Sequence, residues 1–512
     1  MVVRERLSNG VDRAIRIDLG DVSRAIRVDG DDAETEDVVV TAHRRTRASV
    51  IARVLRGERL GKRRDARGRE FLARAPRGAD AAAAFGIEPP RRRSFVDAAE
   101  DGETRRGRGG SLVLLVIVNP TSGRGRGMKI WERRAAPTLR AAGAACETRV
   151  TTRAKEATEI VREADLMRYD GVVVVGGDGT VAEVFQGLRE RGDEASTSTP
   201  LGVVPAGSGN ALCKSIQHAG GEPCDPVSCA LTIARGHTRA LDRAEIRFRD
   251  AETGTWNETS TPTHSLLSTS WGFFSDVDVE SEKFRFLGGA RFTLQAIVRI
   301  LSRRTYRCDF LYETTARGRE HNERHYADAD LGVRLSDRPG WRRVSGDVLG
   351  LWALNVPWGT ETTLAAPRAE FNDGSLDVVL VRVTNRKNML KLMLDFDAGA
   401  HVSNPAVVYL KVKSFELIPA SPDDRSTTTT TTTTDTTTTT TTDTASSSSS
   451  PSPSSSRRRR RRRRRARARG GGFIAVDGEL AASRADPLSR YGPLRCVVAP
   501  DPCRVFAPRP TP

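Results

Sequence analysis

Val172-Val173-Val174-Val175-Gly176-Gly177-Asp178-Gly179-Thr180 is the stretch on which the fold turns. Four β-branched residues run into two glycines, a carboxylate and a third glycine. Val181-Ala182-Glu183-Val184-Phe185-Gln186-Gly187-Leu188 then continues with helical texture. An unbroken apolar run of this kind is a strand buried on both faces, as in a parallel sheet. The turn puts Asp178 at the strand's carboxyl end, where open α/β sheets take their ligands. Glycines there let a bulky anion approach the backbone, so the stretch reads as a phosphate-transfer site. Asp178 near a helix N-terminus is expected to ionise easily, which makes it a weak proton abstractor. A loose phosphoryl-transfer transition state asks more for positioning than for base strength.

The pattern outward from this strand is β-α-β-α. Strands are expected at Leu112–Val118, Cys146–Val150, Gly171–Val175 and Leu201–Val204. Helices are expected at Met128–Ala142, Ala154–Met167, Val181–Arg191 and Asn210–His218. Such alternation implies a parallel sheet with right-handed crossovers. After Thr238 the segments Ala240–Arg249, Ser265–Trp271, Cys308–Thr314, Leu331–Leu335, Leu351–Val356, Leu376–Val383 and Val407–Ile418 alternate instead. They predict antiparallel strands in a sandwich or barrel, with one helix at Asn388–Asp397.

The chain has 512 residues and a formal charge of +17. Twelve arginines against four aspartates in Ser421–Gly470 account for eight of those charges. Thr427–Ser456 is almost pure Thr and Ser, and Arg457–Arg465 follows it; such a tract cannot bury a core and is expected to be disordered. It reads as an expanded hairpin loop between Val412–Ile418 and Phe473–Val476, tolerated because loop entropy grows slowly with length. The seven cysteines include no C-x-x-C pair, so neither a disulfide framework nor a zinc module is expected. No apolar run reaches the ~20 residues of a membrane span. In Met1–Gly110, Asp12–Asp18 and Ser23–Asp29 alternate alike, and a hairpin joined by Leu19–Val22, with Val38–Val40 beside it, is one reading; a mostly disordered extension is the other.

Two more loops follow strands of the parallel sheet. Asn119-Pro120-Thr121-Ser122-Gly123-Arg124-Gly125-Arg126-Gly127 offers backbone N–H groups and two guanidinium groups to phosphate, without being a Walker loop. Pro205-Ala206-Gly207-Ser208-Gly209-Asn210 adds hydroxyl and amide donors at a helix start. The three loops are expected to converge on one crevice. Their order and spacing resemble the diacylglycerol-kinase-type catalytic domain. The run from Ser268 through Trp271-Gly272-Phe273-Phe274 and Asp276-Val277-Asp278-Val279-Glu280 to Arg285 and Arg291 resembles sphingosine (long-chain-base) kinases. Thr305-Tyr306-Arg307 and Val476-Asp477-Gly478-Glu479 resemble them too.

The resemblance implies an α/β kinase domain, Rossmann-like or phosphofructokinase-like, joined to an antiparallel β-sandwich, with the active site in the cleft between them. It implies an ATP- and Mg²⁺-dependent phosphotransferase with an alcohol acceptor, acting on the primary hydroxyl of a sphingoid base. Asn119, Gly123, Arg124, Arg126, Thr151, Gly177, Gly179, Glu183, Ser208 and Gly209 would line the nucleotide site. Arg285 and Arg291 would meet its phosphates, and Gly478 and Glu479 would close it. Asp178 would orient and deprotonate the lipid hydroxyl, and Asp278, with Ser268 nearby, would hold the lipid head group. No residue is assigned as a direct metal ligand.

Asp276 and Asp278, at i and i+2, would share one face of a strand. A carboxylate there suits an ammonium; ceramide and diacylglycerol, which carry none, are the alternatives within the same fold. A polyanion-binding protein acting through Arg457–Arg465 is the alternative of another class. Against it, no aromatic residues interleave with the arginines, and no specific nucleic acid is expected. The expected organisation is an extension at 1–110, a nucleotide-binding domain at 111–238, a lipid-binding sandwich at 239–420 and 471–507, and an insertion at 421–470. A cytoplasmic protein in transient contact with anionic membrane is expected, with Phe273, Phe274, Phe284 and Phe286 as candidate contacts; the oligomeric state is left open.

Overall fold

The computed structural model describes residues 112–250, 253–256, 261–287, 290–302, 304–420, 472–482 and 492–509, the side chains of 285 and 286 excepted, together with the strand backbone within 2–76. The insertion at 421–470 lies outside the described residues. Near the start of the chain, Val2–Arg6 pairs with Asp12–Arg16, while Val22–Val28 pairs with Thr35–Ala42 and that strand with Arg69–Pro76. The expected hairpin between the two similar segments is therefore not formed: each pairs elsewhere. Alternation fixes which face of a strand is apolar, not which strand lies beside it.

The first half is an α/β layer. Its elements are β1 (Val113–Val118), α1 (residues 127–141), β2 (Ala145–Val150), α2 (Glu156–Glu163), β3 (Gly171–Gly176), α3 (Asp178–Arg191), β4 (Leu201–Pro205), α4 (Ala211–Ala219) and α5 (Pro226–Ala234). The periodicity reading did not find α5. α1 carries a π-turn at Trp131–Ala135, just ahead of Pro137, whose missing N–H breaks the regular ladder.

β3 is buried along its whole length and lies parallel to β1 on one side and β4 on the other. The registers Val175 to Val118 and Gly176 to Pro205 level the carboxyl ends of the three strands. The loops leaving them are thereby brought together. Since β2 flanks β1 on its other side, strand order reverses between β1 and β3, which is where such sheets open a crevice.

The sheet is completed from far along the chain. β5 (Thr238–Leu241) and the strand Cys503–Phe506 extend it beyond β4, Cys503–Phe506 parallel to β4 and antiparallel to β5. Sequence placed Cys503–Phe506 with the sandwich; the structure puts it in the α/β sheet. Its four residues are too few for a periodicity to reveal a partner.

The second half is all antiparallel among the described strands. It comprises β6 (Ala244–Phe248), β7 (Thr263–Ser265), β8 (Ser268–Gly272), β9 (Tyr306–Glu313), β10 (Trp341–Leu354), β11 (Leu376–Arg382), β12 (Val407–Val412), β13 (Ser414–Pro419), β14 (Ile474–Val476), β15 (Glu479–Ala482) and β16 (Leu494–Val498). β10 serves two groups of strands: its first part pairs with β9, and past an irregularity at Val348/Gly350 it pairs with β8 and β11. The apolar core of this half gathers Trp271, Phe310, Tyr312, Phe415 and Leu417. Helices α6 (Phe273–Ser281), α7 (Ala290–Ser302), α8 (Ala316–His325) and α9 (Arg386–Asp395) decorate it.

The insertion does not close a hairpin. β13 pairs with β9 and β16, whereas β14 pairs with β8 and β15. The residues flanking it both lie near the start of β9: Ala420 donates its N–H to Arg307 O, and a β-carbon on Gly472 would lie 3.1 Å from the Tyr306 ring.

Candidate active site

Asp178 opens α3, directly after Gly177. Its two carboxylate oxygens accept the backbone N–H groups of Ala211 (3.0 Å) and Leu212 (3.2 Å), the first two residues of α4. The N-terminus of α4, an obvious anion site, is thus taken by the protein's own carboxylate. Burial pushes Asp178 up to about 6, against the pull of those two N–H bonds. This corrects the expectation of an easily ionised, weakly basic group: desolvation outweighs the helix terminus.

Close packing among the loops makes its own demand on these glycines. A β-carbon on Gly177 would stand 3.0 Å from Gly207 Cα, one on Gly209 2.9 Å from Asp178 Oδ2, and one on Gly123 would overlap Ala206 O. Much of the glycine requirement comes from backbone packing on backbone among the loops. In the first loop Gly123, Arg124 and Gly125 all have φ near +60° to +75°, a left-handed run that a non-glycine residue such as Arg124 adopts at a cost. Asn119 Nδ2 donates to Thr180 Oγ1 (3.0 Å) and ties this loop to the start of α3.

The remaining residues assigned to the nucleotide side surround the same strand ends. Arg124 and Arg126 are exposed, with Arg126 Nε on Gly123 O (3.0 Å). Thr151 is buried at the end of β2, its N–H on Val118 O (2.9 Å). Ser208 and Gly209 are half-buried in the third loop, and Glu183 is half-buried on α3.

The opposite wall is α6. Asp276 and Asp278 sit on this helix rather than on a strand. Two residues apart on a helix point about 200° from each other, so the expected shared face does not exist. Asp276 turns inward and is completely buried, where it accepts the Tyr306 hydroxyl, Arg304 Nη1 (3.0 Å) and Phe473 N–H (3.4 Å). One turn on, Glu280 pairs with Arg299 and Arg304 and accepts from Gln295 Nε2 (2.6 Å). Asp278 turns toward the cleft. Burial pushes it up to about 7; Arg291 opposes the rise, while Glu282, Glu479 and Asp178 add to it.

The β14–β15 turn spans the cleft. A β-carbon on Gly478 would lie 3.5 Å from Asp278 Oδ2, and one on Gly179 would overlap Glu479 Oε1. Asp477 fixes this turn. It has φ of 50°, and its carboxylate accepts Ser265 Oγ (2.5 Å) and the N–H groups of Leu266 (3.0 Å), Leu267 (3.0 Å) and Ser268 (2.9 Å). Ser268 is buried and enters through its backbone. Arg291, in the first turn of α7, is buried, paired with Glu282 and laid over the Phe292 ring, with its Nε unpartnered. Arg285 falls in the 3₁₀ turn Glu282–Leu287, and its side chain is outside those described.

Four residues were given no role by the sequence reading. Asp477 had a signal, since Asp-Gly marks a turn. Tyr306 had none beyond the resemblance of Thr305-Tyr306-Arg307, and Arg304, just outside that segment, had none. Glu361 had none at all: it lies between β10 and β11, donates its N–H to Gly209 O (2.8 Å) and accepts Asn210 Nδ2 (2.6 Å), so the sandwich grips the third loop. The candidate membrane contacts also change. Phe273 and Phe274 pack into a core with Trp352 and Phe396, Phe284 is half-buried, and the Phe286 side chain is outside those described. Leu294, Ile297, Val298 and Leu301 on α7 and Leu390 and Leu394 on α9 are exposed instead.

Comparison with known proteins agrees with this architecture. The family model of the diacylglycerol kinase catalytic domain matches residues 113–246, and that of the YegS C-terminal NAD kinase beta sandwich-like domain matches residues 354–435. Sphingosine kinase 1 of Arabidopsis thaliana is 37% identical over 322 residues, 60% of this chain and 64% of that protein. The chain therefore spans somewhat less than two thirds of that relative's length. Sphingosine kinase 1 of Homo sapiens is 34% identical over 325 residues, 60% of this chain and 82% of that protein. Ceramide kinase of Homo sapiens is 27% identical over 317 residues, 55% of this chain and 57% of that protein. On identity and coverage together, the chain belongs to the sphingosine kinase family.

Proposed function

We propose that the protein transfers the γ-phosphoryl group of ATP to the primary hydroxyl of a sphingoid base. The observation that carries this reading is the pair of carboxylates, Asp178 and Asp278, reaching one cleft from opposite walls with the Gly478–Glu479 turn between them. Asp178, held by two N–H groups, orients the lipid hydroxyl and takes its proton. The hydroxyl oxygen forms the new P–O bond while the bond between the γ-phosphorus and the β–γ bridging oxygen breaks, and ADP leaves. A base near pKa 6 is mostly ionised at neutral pH and stronger than an ordinary carboxylate, which suits general-base work.

Asp278 holds the ammonium of the head group. The neighbouring acids that raise its pKa make a cation there favourable. Ceramide and diacylglycerol would leave this carboxylate without a cation, at a desolvation cost. Arg124, Arg126, Arg285 and Arg291 are assigned to the phosphates, and the three loops to the nucleotide. Mg²⁺, when bound, neutralises the β- and γ-phosphate oxygens. Among the described residues there is no group of three His, Cys, Asp or Glu side chains placed to hold a metal ion.

Among the described residues no helix is long and apolar enough to cross a membrane. Contact with the bilayer is assigned to the exposed leucines, isoleucine and valine of α7 and α9, rimmed by exposed Arg386, Lys387 and Lys391. The test is a lipid panel with ATP and Mg²⁺. Sphingosine and phytosphingosine should be phosphorylated ahead of ceramide and diacylglycerol, and Asp178→Asn should abolish turnover. Absence of any lipid phosphate from the wild-type protein would refute the assignment, as would full activity in Asp178→Asn.

A further inference from the structure

Three cysteines meet beneath the helix that holds Asp178. Cys213 lies in the first turn of α4, Cys224 in the connection to α5, and Cys229 on α5. The Cys213 sulfur is 3.3 Å from that of Cys229 and 3.7 Å from that of Cys224. None of the three is in a disulfide; Cys213 and Cys229 are buried, while Cys224 retains solvent exposure. The two residues immediately before Cys213 are Leu212 and Ala211, whose N–H groups carry the Asp178 carboxylate. Cys224 is also near enough for a thiolate there to push Asp178 upward. Cys213 and Cys229 belong to the apolar core of the α/β layer and Cys224 packs against it, but the proposed catalysis uses none of the three sulfurs.

We propose that Cys213, Cys224 and Cys229 form an oxidative modification site that acts on Asp178 through the first turn of α4, with hydrogen peroxide or an organic peroxide as the oxidant. Cys224, the exposed member, is attacked first. Its thiolate sulfur bonds to one peroxide oxygen, the O–O bond breaks, and hydroxide (or alkoxide) leaves, giving a sulfenic acid. The Cys213 sulfur then attacks the Cys224 sulfur; the S–S bond forms, the S–O bond breaks, and the departing hydroxide leaves as water with the Cys213 proton. The two sulfurs together lose two electrons, and the peroxide gains them.

Hydrogen bonds to Cys224 and Cys229, together with burial, push the Cys213 thiol well above its usual range, and burial does the same for Cys229, which protects both from direct attack. Contact between the sulfurs supplies the effective concentration that the resolving step needs. A disulfide requires the sulfurs at roughly 2.05 Å. Cys213 must therefore move toward Cys224, and the two N–H bonds to Asp178 move with it. Displacement of a catalytic group by about 1 Å is enough to cost up to ~100-fold in rate.

The effect on turnover rests on the kinase reading; the modification itself does not. Full-length protein is reduced, treated with hydrogen peroxide, quenched and divided for three measurements: disulfide mapping by mass spectrometry, hydrogen exchange of the peptide containing Ala211 and Leu212, and phosphorylation of sphingosine. The expected result is a Cys213–Cys224 cross-link, faster exchange at those amides, and a loss of roughly 10- to 100-fold in kcat that dithiothreitol restores. Cys224→Ser should keep the activity of the reduced protein and resist peroxide in all three measurements. Cys229→Ser should still form the cross-link, which keeps the test decisive if the first variant folds poorly.

No disulfide within the trio, or a cross-link with unchanged exchange at Ala211 and Leu212, overturns the proposal. So does a peroxide loss of equal size in Cys224→Ser. Reduced protein that forms no sphingoid phosphate defeats the kinase reading alone, because mapping and exchange still decide the modification.

Discussion

The two walls of the cleft are built differently. On the α/β wall the structure depends on main chain. Glycines let three loops touch, helix N–H groups hold Asp178, and the strand ends are levelled by parallel register. On the antiparallel wall it depends on side chains: Asp276, Glu280, Gln295, Arg299, Arg304 and Tyr306 orient one helix so that Asp278 faces the cleft. A wall made of backbone tolerates no added atom at its contacts. A wall made of ion pairs tolerates adjustment but depends on every partner being present, since a buried charge left alone is costly. Under the proposed function, the first arrangement suits the part of the reaction that is the same for every lipid acceptor, and the second the part that distinguishes them.

The contrast can be broken at several points. The largest effect belongs to the α/β wall. Gly207→Ala puts a β-carbon against the Gly177 backbone, which cannot yield, and beside Asn210 Oδ1. It should lower kcat/KM for ATP by roughly 100-fold and destabilise by about 1–3 kcal/mol, as read by steady-state kinetics and denaturant titration. Gly179→Ala meets only the far end of the Glu479 side chain and should cost much less; equal losses would show that the glycines are not there for backbone contact.

Asp278→Asn comes next. It should reduce kcat/KM for sphingoid bases by roughly 10- to 100-fold while changing activity on diacylglycerol little. It should also stabilise the free protein. A carboxyl raised to about 7 in the folded state adds stability below the unfolded-state pKa, and that contribution is lost as pH rises through 7. Above that pH the ionised group is a burden, and its removal is worth on the order of 1–3 kcal/mol, a few degrees in Tm. A lowered Tm at pH 8 would contradict the electrostatic account.

The pH profile separates the walls without mutation. Asp178 must be ionised to take a proton, and Asp278 must be ionised to hold an ammonium. Activity should therefore fall on the acid side. For kcat/KM, which reports the free enzyme, two groups near 6 and 7 should bend the profile. For kcat, where a bound ammonium keeps Asp278 ionised, only the group near 6 should remain. Identical acid limbs in both profiles would undo the division of roles.

The smallest effect expected is that of Tyr306→Phe, which removes the hydroxyl bonded to Asp276. It should raise KM for the sphingoid base by roughly 3- to 10-fold, one lost charge-assisted hydrogen bond, with kcat within about twofold. A fall in kcat with unchanged KM would place Tyr306 in the chemistry rather than in positioning.

These differences also explain what the sequence disclosed. The α/β wall was legible because its requirements are local. Val172–Val175, Gly177 and Gly207 announce a buried strand and tight loops through residue type alone, and the three loops were read correctly as neighbours. The helical state of Asp276–Glu280 was not legible, since Val277 and Val279 give the segment the alternation of a strand. Its helix is held by Arg299, Arg304, Tyr306 and Phe473, supplied from as far as 197 residues away. Glu361 was invisible for the same reason: a loop carboxylate has no pattern, and its role exists only once the sandwich lies against Asn210. The basicity of Asp178 was misjudged because burial is a property of the folded molecule, not of a helix position.

The strand Cys503–Phe506 has a consequence for the order in which the molecule is made. It pairs with β4 through Leu201 and Val505, about 300 residues apart in sequence, so closing that pair encloses the whole antiparallel half. Contacts of such separation are slow to form. Residues 206–502 would leave the ribosome with the α/β sheet still one strand short and its β4 edge open to other strands. The sheet that holds Asp178 is thus finished only after the antiparallel half, and a nascent chain would stay without the complete proposed site until Cys503–Phe506 had been made.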